Sequence, residues 1–129
     1  MLFRSPLLRY SQEFTFTSDK GDTYYSLVMQ GDGNLVLYYN KQGADRTRIC
    51  SSGTSSTDAV LTFQENTRLA IDKVNLDKQL RSIFKEDEWG YVNVQGNGNV
   101  VLYRNSDRKV LWKTDSTNKT SWWNGYGCL

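Results

Sequence analysis

The stretch Gln30-Gly31-Asp32-Gly33-Asn34-Leu35-Val36-Leu37-Tyr38 gathers the densest set of groups able to do chemistry. In an extended chain, residues at i, i+2 and i+4 share a face. Gln30, Asp32, Asn34, Val36 and Tyr38 then point one way, while Leu35 and Leu37 point toward a core. The polar set supplies donors and acceptors at alternate positions, about 6.6–6.8 Å apart. A polyol matches such a face, because each hydroxyl both donates and accepts. A pyranose ring presents hydroxyls over a similar span, and Val36 offers a small apolar patch to its C–H face. A local reading competes: Asp-Gly favours a tight hairpin turn, and glycines at 31 and 33 weaken a strand.

The same polar spacing returns 65 residues on as Gln95-Gly96-Asn97-Gly98-Asn99-Val100-Val101-Leu102-Tyr103, which favours the shared-face reading. Gln95, Asn97, Asn99, Val101 and Tyr103 therefore join the first five as candidate ligand-contacting residues. A threefold array needs a middle copy, and the segment from Gln64 to Asp72 stands where it should. It keeps Gln64 and Asn66, but Arg68, Ala70 and Asp72 stand for Asn, Val and Tyr. Without the apolar patch and the phenol, the middle copy reads as scaffold.

The elements that must position these groups are short strands and turns. Phe14–Thr17, Tyr24–Val28 and Val60–Phe63 are rich in β-branched and aromatic residues, and turn signals follow at Asp19–Asp22, Asn40–Gly43 and Asn105–Asp107. Val74–Leu80 alone has any helical pattern, and it alternates almost as well. The units also end alike, on Cys50 in Ile49–Thr54, Phe84 in Ile83–Asp87 and Trp112 in Leu111–Ser116. Phe84 and Trp112 are expected to pack about a shared axis, with Cys50 standing in for an apolar residue. All-β is the expected class.

The Gln-x-Asp-x-Asn-x-Val-x-Tyr pattern resembles the sugar-binding signature of the monocot mannose-binding, or bulb-type, lectins, and residues 30–38 match it in full. Trp112-Lys113-Thr114-Asp115-Ser116 looks like the strand that follows each site in that family. The resemblance covers nearly the whole chain, from Ser5-Pro6-Leu7-Leu8 onward. It implies one bulb-type lectin domain over residues 1–129 with a β-prism II fold, three four-stranded antiparallel sheets about a pseudo-threefold axis. It also implies calcium-independent binding of mannose or mannose-containing glycans, with no cofactor or metal. Asp32 and Asn34 would then contact the axial 2-hydroxyl, Gln30 the 3-hydroxyl region and Tyr38 the 4-hydroxyl, with Val36 against the ring. A homodimer is implied too, since one shallow site binds weakly and avidity needs several. Asn97 departs from the pattern; an amide accepts less strongly than a carboxylate, by about 1 kcal/mol for one hydrogen bond. That site is expected to bind more weakly or to prefer another sugar. The alternative is a β-prism protein-interaction or toxin-like module with lost or altered sugar specificity. Its partner surface would be Trp122-Trp123 and Gly125–Cys128, a tail that otherwise reads as a closing strand.

Composition excludes other classes. The 129 residues, 38% of them hydrophobic, suffice for one domain with a core. Sixteen basic and 14 acidic residues are interspersed, so charge does not point to nucleic acid. No apolar run approaches the roughly 18 residues that insertion into a membrane requires. The chain has no histidine, and Asp32 falls in a different repeat from Glu65 and Asp72, so no acid–base pair or nucleophile triad is legible and no enzyme is expected. Residues 1–6 lack the apolar stretch of a secretory signal. The expectation is a chain that stays in the cytoplasm, leaves by a non-standard route, or is extracellular after loss of a leader; Asn118-Lys119-Thr120 would be a glycosylation acceptor only in the last case. Cys50 and Cys128 leave an internal disulfide, two free thiols and an intermolecular bridge all open.

Overall fold

The structure, a computed structural model, describes residues 5–8, 12–17, 23–64, 68–73, 78–116 and 128–129. Runs of β-branched and aromatic residues, broken by Gly, Asn and Asp, form eleven strands and no helix among these residues. They are β1 (Ser5–Leu8), β2 (Glu13–Thr17), β3 (Thr23–Met29), β4 (Leu35–Lys41), β5 (Thr47–Ser51), β6 (Ala59–Gln64), β7 (Arg68–Lys73), β8 (Gln79–Lys85), β9 (Gly90–Val94), β10 (Val100–Arg104) and β11 (Val110–Lys113).

Three antiparallel sheets result, ordered β2-β3-β4-β5, β1-β6-β7-β8 and β9-β10-β11. The first strand of the chain thus skips the sheet that follows it and pairs with β6 of the middle sheet. Among the described residues the third sheet has three strands rather than the expected four. Apart from Cys128, the tail read as a closing strand lies outside the described residues, as do the 118–120 sequon, the turn at 19–22 and residues 74–77 of the ambiguous stretch.

Strand alternation sends one face of every sheet to a common core. The cross-strand pairs Leu27–Leu37 and Met29–Leu35, Leu61–Ile71 and Val94–Val100 meet in one buried cluster drawn from all three sheets. Burial of each such side chain stabilises by about 1.5–3 kcal/mol. The other alternation leaves Ser26, Val28, Val36 and Tyr38 on the outer face of the first sheet, and Tyr91, Asn93, Val101 and Tyr103 on that of the third.

The closing strands follow the repeat in two sheets out of three. Cys50 faces Leu37 and Trp112 faces Leu102, which are equivalent pairs. Phe84 faces Leu69, the counterpart of Leu35, so the middle closing strand is displaced by two residues, where the β7–β8 register breaks twice. Phe84 and Trp112 pack half-buried against the shared core, as expected.

Cys50 and Cys128 form a disulfide with Cα atoms 6.0 Å apart, across a separation of 78 residues. Leu129 is buried beside it, and Arg81 Nε donates to the Leu129 main-chain oxygen at 2.6 Å. The bond joins the chain's end to β5 and to the core, a proximity no sequence spacing reveals. Closing so long a loop stabilises by about 4 kcal/mol in the chain-entropy description. A Cys50→Ala/Cys128→Ala variant is therefore expected to lose about 2–4 kcal/mol in urea unfolding. Non-reduced, denatured wild type should titrate no thiol; two titrating thiols would remove the bond from the account.

Candidate functional site

Residues 30–38 are not one strand. β3 ends at Met29 and β4 begins at Leu35. Between them the Gly33 N–H donates to the Gln30 carbonyl and the Gln30 N–H to the Asn34 carbonyl, both at 3.0 Å. Gly33 has φ 87°. This is a hairpin loop whose last residue is left-handed and forms a bulge. The shared face expected of Gln30, Asp32 and Asn34 therefore breaks at the tip, because the chain reverses there. The repeat preserves this turn: Gly98 N–H donates to Gln95 O at 2.9 Å, Gln95 N–H to Asn99 O at 2.8 Å, and Gly98 has φ 92°.

The expected residues converge all the same, from the two arms of the hairpin. Gln30 Nε2 donates to the Tyr38 hydroxyl, and Gln95 Nε2 to the Tyr103 hydroxyl at 2.7 Å. Asp32 Oδ1 accepts the Asn34 N–H at 3.0 Å, and Asn97 Oδ1 accepts the Asn99 N–H at 3.1 Å. Asn97 thus keeps the turn and changes only the second atom, from a carboxylate acceptor to an amide donor.

A hydroxyl-x-hydroxyl clamp just past the end of the closing strand fixes each tip. Asn34 Oδ1 accepts from Ser52 Oγ at 3.1 Å and from the Gly53 N–H at 2.8 Å. Asn99 Oδ1 accepts from Thr114 Oγ1 at 3.1 Å and from the Ser116 N–H at 3.2 Å. Ser52 Oγ also accepts the Leu35 N–H, and Thr114 Oγ1 the Val100 N–H, each at 3.0 Å. Thr54 Oγ1 donates to Gly33 O at 2.5 Å, and Ser116 Oγ to Gly98 O at 2.6 Å. Because the amide oxygen faces these donors, Nδ2 of Asn34 and of Asn99 is left to donate to a ligand. The matched unit endings were visible in the sequence, but the role of Ser52, Thr54, Thr114 and Ser116 was not; hydroxyls recurring two residues apart were the signal.

Burial alters the expected roles. Val36 is 0% and Val101 2% exposed, so neither offers an apolar patch to a ring. Val36 instead packs with Val28 and Tyr38. Tyr38 is itself buried, and the Arg46 guanidinium lies 3.9 Å from its ring centroid, in cation–π range. The first sheet therefore presents exposed Asp32 with half-buried Gln30 and Asn34. Gln30 Oε1 is buried without a hydrogen-bond partner, an arrangement costing on the order of 1–3 kcal/mol. Beside this tip Ser56 Oγ donates to Asp58 at 2.5 Å and lowers its carboxyl pKa from the ordinary value. At the far end of β10, the Arg104 guanidinium forks onto Asp107 and holds that carboxyl well below the usual range.

The middle copy is filled from within. Arg68 Nη1 and Nη2 donate to the two carboxylate oxygens of Asp72 at 2.8 and 2.7 Å. Nη2 also reaches Gln79 Oε1 at 2.7 Å, and Thr62 Oγ1 donates to Asp72 at 2.5 Å. This buried ion pair occupies the positions that Asn34 and Tyr38 hold in the first sheet. Asn66 lies outside the described residues.

No protein-family model and no curated protein sequence matches the chain. Its structure is similar to a monomeric monocot mannose-binding lectin from Gastrodia elata, at 25% identity and a TM-score of 0.66, over 90% of this chain and 96% of that one. The chain has the fold of a monocot mannose-binding lectin. The resemblance read at residues 30–38 thus extends to the β-prism as a whole. The likeness supports carbohydrate binding.

Two stability predictions follow from the packing of the lectin-like units. A Cβ on Gly33 would sit 2.1 Å from Ser56 N, whereas one on Gly43, at φ +80°, would meet nothing. Gly43→Ala should cost about 1–2 kcal/mol for its left-handed backbone, and Gly33→Ala clearly more, as read by urea unfolding; equal losses would mean the tip is not seated on Ser56. Arg68→Ala should cost about 3–5 kcal/mol by stranding Asp72, and Arg68→Met/Asp72→Leu should recover most of it. If the double variant is no more stable than the single one, the network does more than fill space.

Proposed function

We propose that this chain is a non-catalytic, calcium-independent lectin that takes mannose or mannose-containing glycans at residues 30–38 and, more weakly, at residues 95–103. The observation that carries the reading is one lattice built twice. In both sheets a Gln is bound to a Tyr hydroxyl, an Asx turn turns a polar atom outward, and an Asn has its oxygen clamped and its nitrogen offered. Similarity to a mannose-binding lectin adds to it.

The outward atoms set the roles. Asp32 offers an acceptor beside the Asn34 donor, which suits one hydroxyl that gives its proton to the carboxylate and accepts from the amide. An axial 2-hydroxyl meets that pair, with Gln30 and Tyr38 fixing the neighbouring hydroxyls. Asn97 and Asn99 present two donors, so a hydroxyl there accepts twice and has no partner for its own proton. Two sites on separate sheets make even one chain bivalent, and a homodimer would present four. The Gastrodia elata neighbour is monomeric, and size exclusion decides the state of this chain. The second reading, an interaction module with altered specificity, draws on Arg46 lying over Tyr38.

A glycan array run with wild type, Asp32→Ala and Asn97→Asp tests the proposal. Loss of a hydrogen bond to a charged group, about 1.5–3 kcal/mol, should lower mannoside affinity roughly 10- to 100-fold in Asp32→Ala. Asn97→Asp should raise it. No mannoside bound by wild type, or equal binding by Asp32→Ala, would overturn the assignment.

A further inference from the structure

The outer face of the third sheet carries a surface that the sugar contacts above do not use. Tyr91 pairs with Tyr103 across β9 and β10, and their rings stack with centroids 5.4 Å apart at 27°. Trp89 just precedes β9, and its carbonyl accepts the Asn105 N–H at 2.7 Å. That bond carries the ladder one pair beyond Gly90–Arg104. It puts Trp89 on the same side as Tyr91, about 6.6–6.8 Å farther from the hairpin tip. Trp89 is 51% and Tyr91 37% exposed. Two large aromatic groups are thus held in a row, in water, by backbone pairing.

The first sheet keeps one member of this row, Tyr24, exposed at the place of Trp89, and lacks the other. At the place of Tyr91 it has Ser26, buried and hydrogen-bonded to Asn40 at 3.1 Å. Its Tyr38 ring faces Arg46, not a second aromatic. The stacked pair therefore belongs to the sheet whose turn lacks the carboxylate. It is also continuous with the polar cluster, because Tyr103, which accepts from Gln95, is one member of the stack. Flat aromatic faces beside hydroxyl-binding groups match a glycan chain, whose pyranose rings present C–H faces along their length.

We propose that Tyr91 and Trp89 extend the third-sheet site into a stacking platform for further pyranose residues, so that this site takes oligosaccharides in preference to single sugars. The proposal rests on the carbohydrate reading of residues 95–103. The test is calorimetric and NMR titration of the full chain carrying Asp32→Ala, which silences the first site, with mannose, mannobiose and mannotriose. Affinity should rise at least about fivefold from mannose to mannotriose. Trp89→Ala and Tyr91→Ala should each remove that gain and leave mannose affinity within about twofold, while Trp89→Phe keeps most of it. Both residues are exposed, and thermal unfolding checks that the variants fold. If Trp89→Ala leaves mannotriose affinity intact while Gln95→Ala lowers it, the site is real and the platform is wrong. If Trp89→Ala changes the oligomeric state and not the affinity, the row is a protein contact and the platform is overturned. If no saccharide binds and the Trp89 indole signal does not move, the underlying site reading fails with it.

Discussion

The side-chain oxygen of Asn34 lies where the chain has just reversed and a strand begins, and the positions of the other site groups follow from how it is satisfied. Ser52 and the Gly53 N–H hold it, and Ser52 also caps the Leu35 N–H. Neutral hydrogen bonds are worth about 1 kcal/mol each, but these converge on one amide and its neighbour, so the segment just after β5 fixes the hairpin tip as a unit. Asp32 is then aimed by its bond to the Asn34 N–H, and Gln30 comes within reach of Tyr38. The third sheet reaches the same arrangement with Thr114 and Ser116. In each sheet one hydroxyl and one backbone N–H hold the amide oxygen, although the residues that supply them differ.

The middle sheet shows what the fold keeps when the clamp is absent. Arg68 replaces the amide and turns inward to Asp72, which replaces the phenol. Two charges taken from water tolerate burial only with close, multiple bonds, and here Thr62 and Gln79 supply them. The inner face is unaffected: Leu61, Leu69 and Ile71 remain in the shared core. Because successive side chains alternate between faces, a sheet of this prism can lose its outer chemistry and still serve as a wall.

That alternation is also why much of the fold was legible in the sequence. Apolar residues at every second position, recurring in three units, give strands that bury one face each, while the three-sheet prism is what the resemblance at residues 30–38 implies. What was not legible depends on contacts across the chain. Asp-Gly signalled a turn, yet spacing alone suits either a turn or a strand, and only the Gln30–Asn34 and Gln30–Gly33 bonds decide it. Val36 looked exposed by alternation, but Val28 across the hairpin and the Tyr38 ring cover it. The disulfide needed β5 and a residue 78 positions further on brought to a Cα separation of 6.0 Å. Trp89 and Tyr91 fall outside the repeated motif and acquire meaning only through the Tyr91–Tyr103 pairing. The Asn97 substitution was readable as a change, while its structural neutrality, one oxygen kept for the turn, was not.

On the proposed reading, the two lectin sites place their binding energy in different terms. The first offers a charged acceptor at Asp32 and a phenol ring covered by Arg46, so it depends on where one sugar's hydroxyls point. Hydrogen bonds of this kind discriminate strongly, because a missing or misplaced hydroxyl leaves a protein group without a partner. The third offers two amide donors and an uncovered aromatic row. Stacking scales with the area covered, at about 25 cal/mol per Å², and is tolerant of hydroxyl stereochemistry but demanding of chain length. One scaffold thereby carries a site that reads the stereochemistry of one residue and a site that reads the extent of a chain. The difference arises at few positions, chiefly Asp against Asn in the turn and Ser26 against Tyr91 on the neighbouring strand.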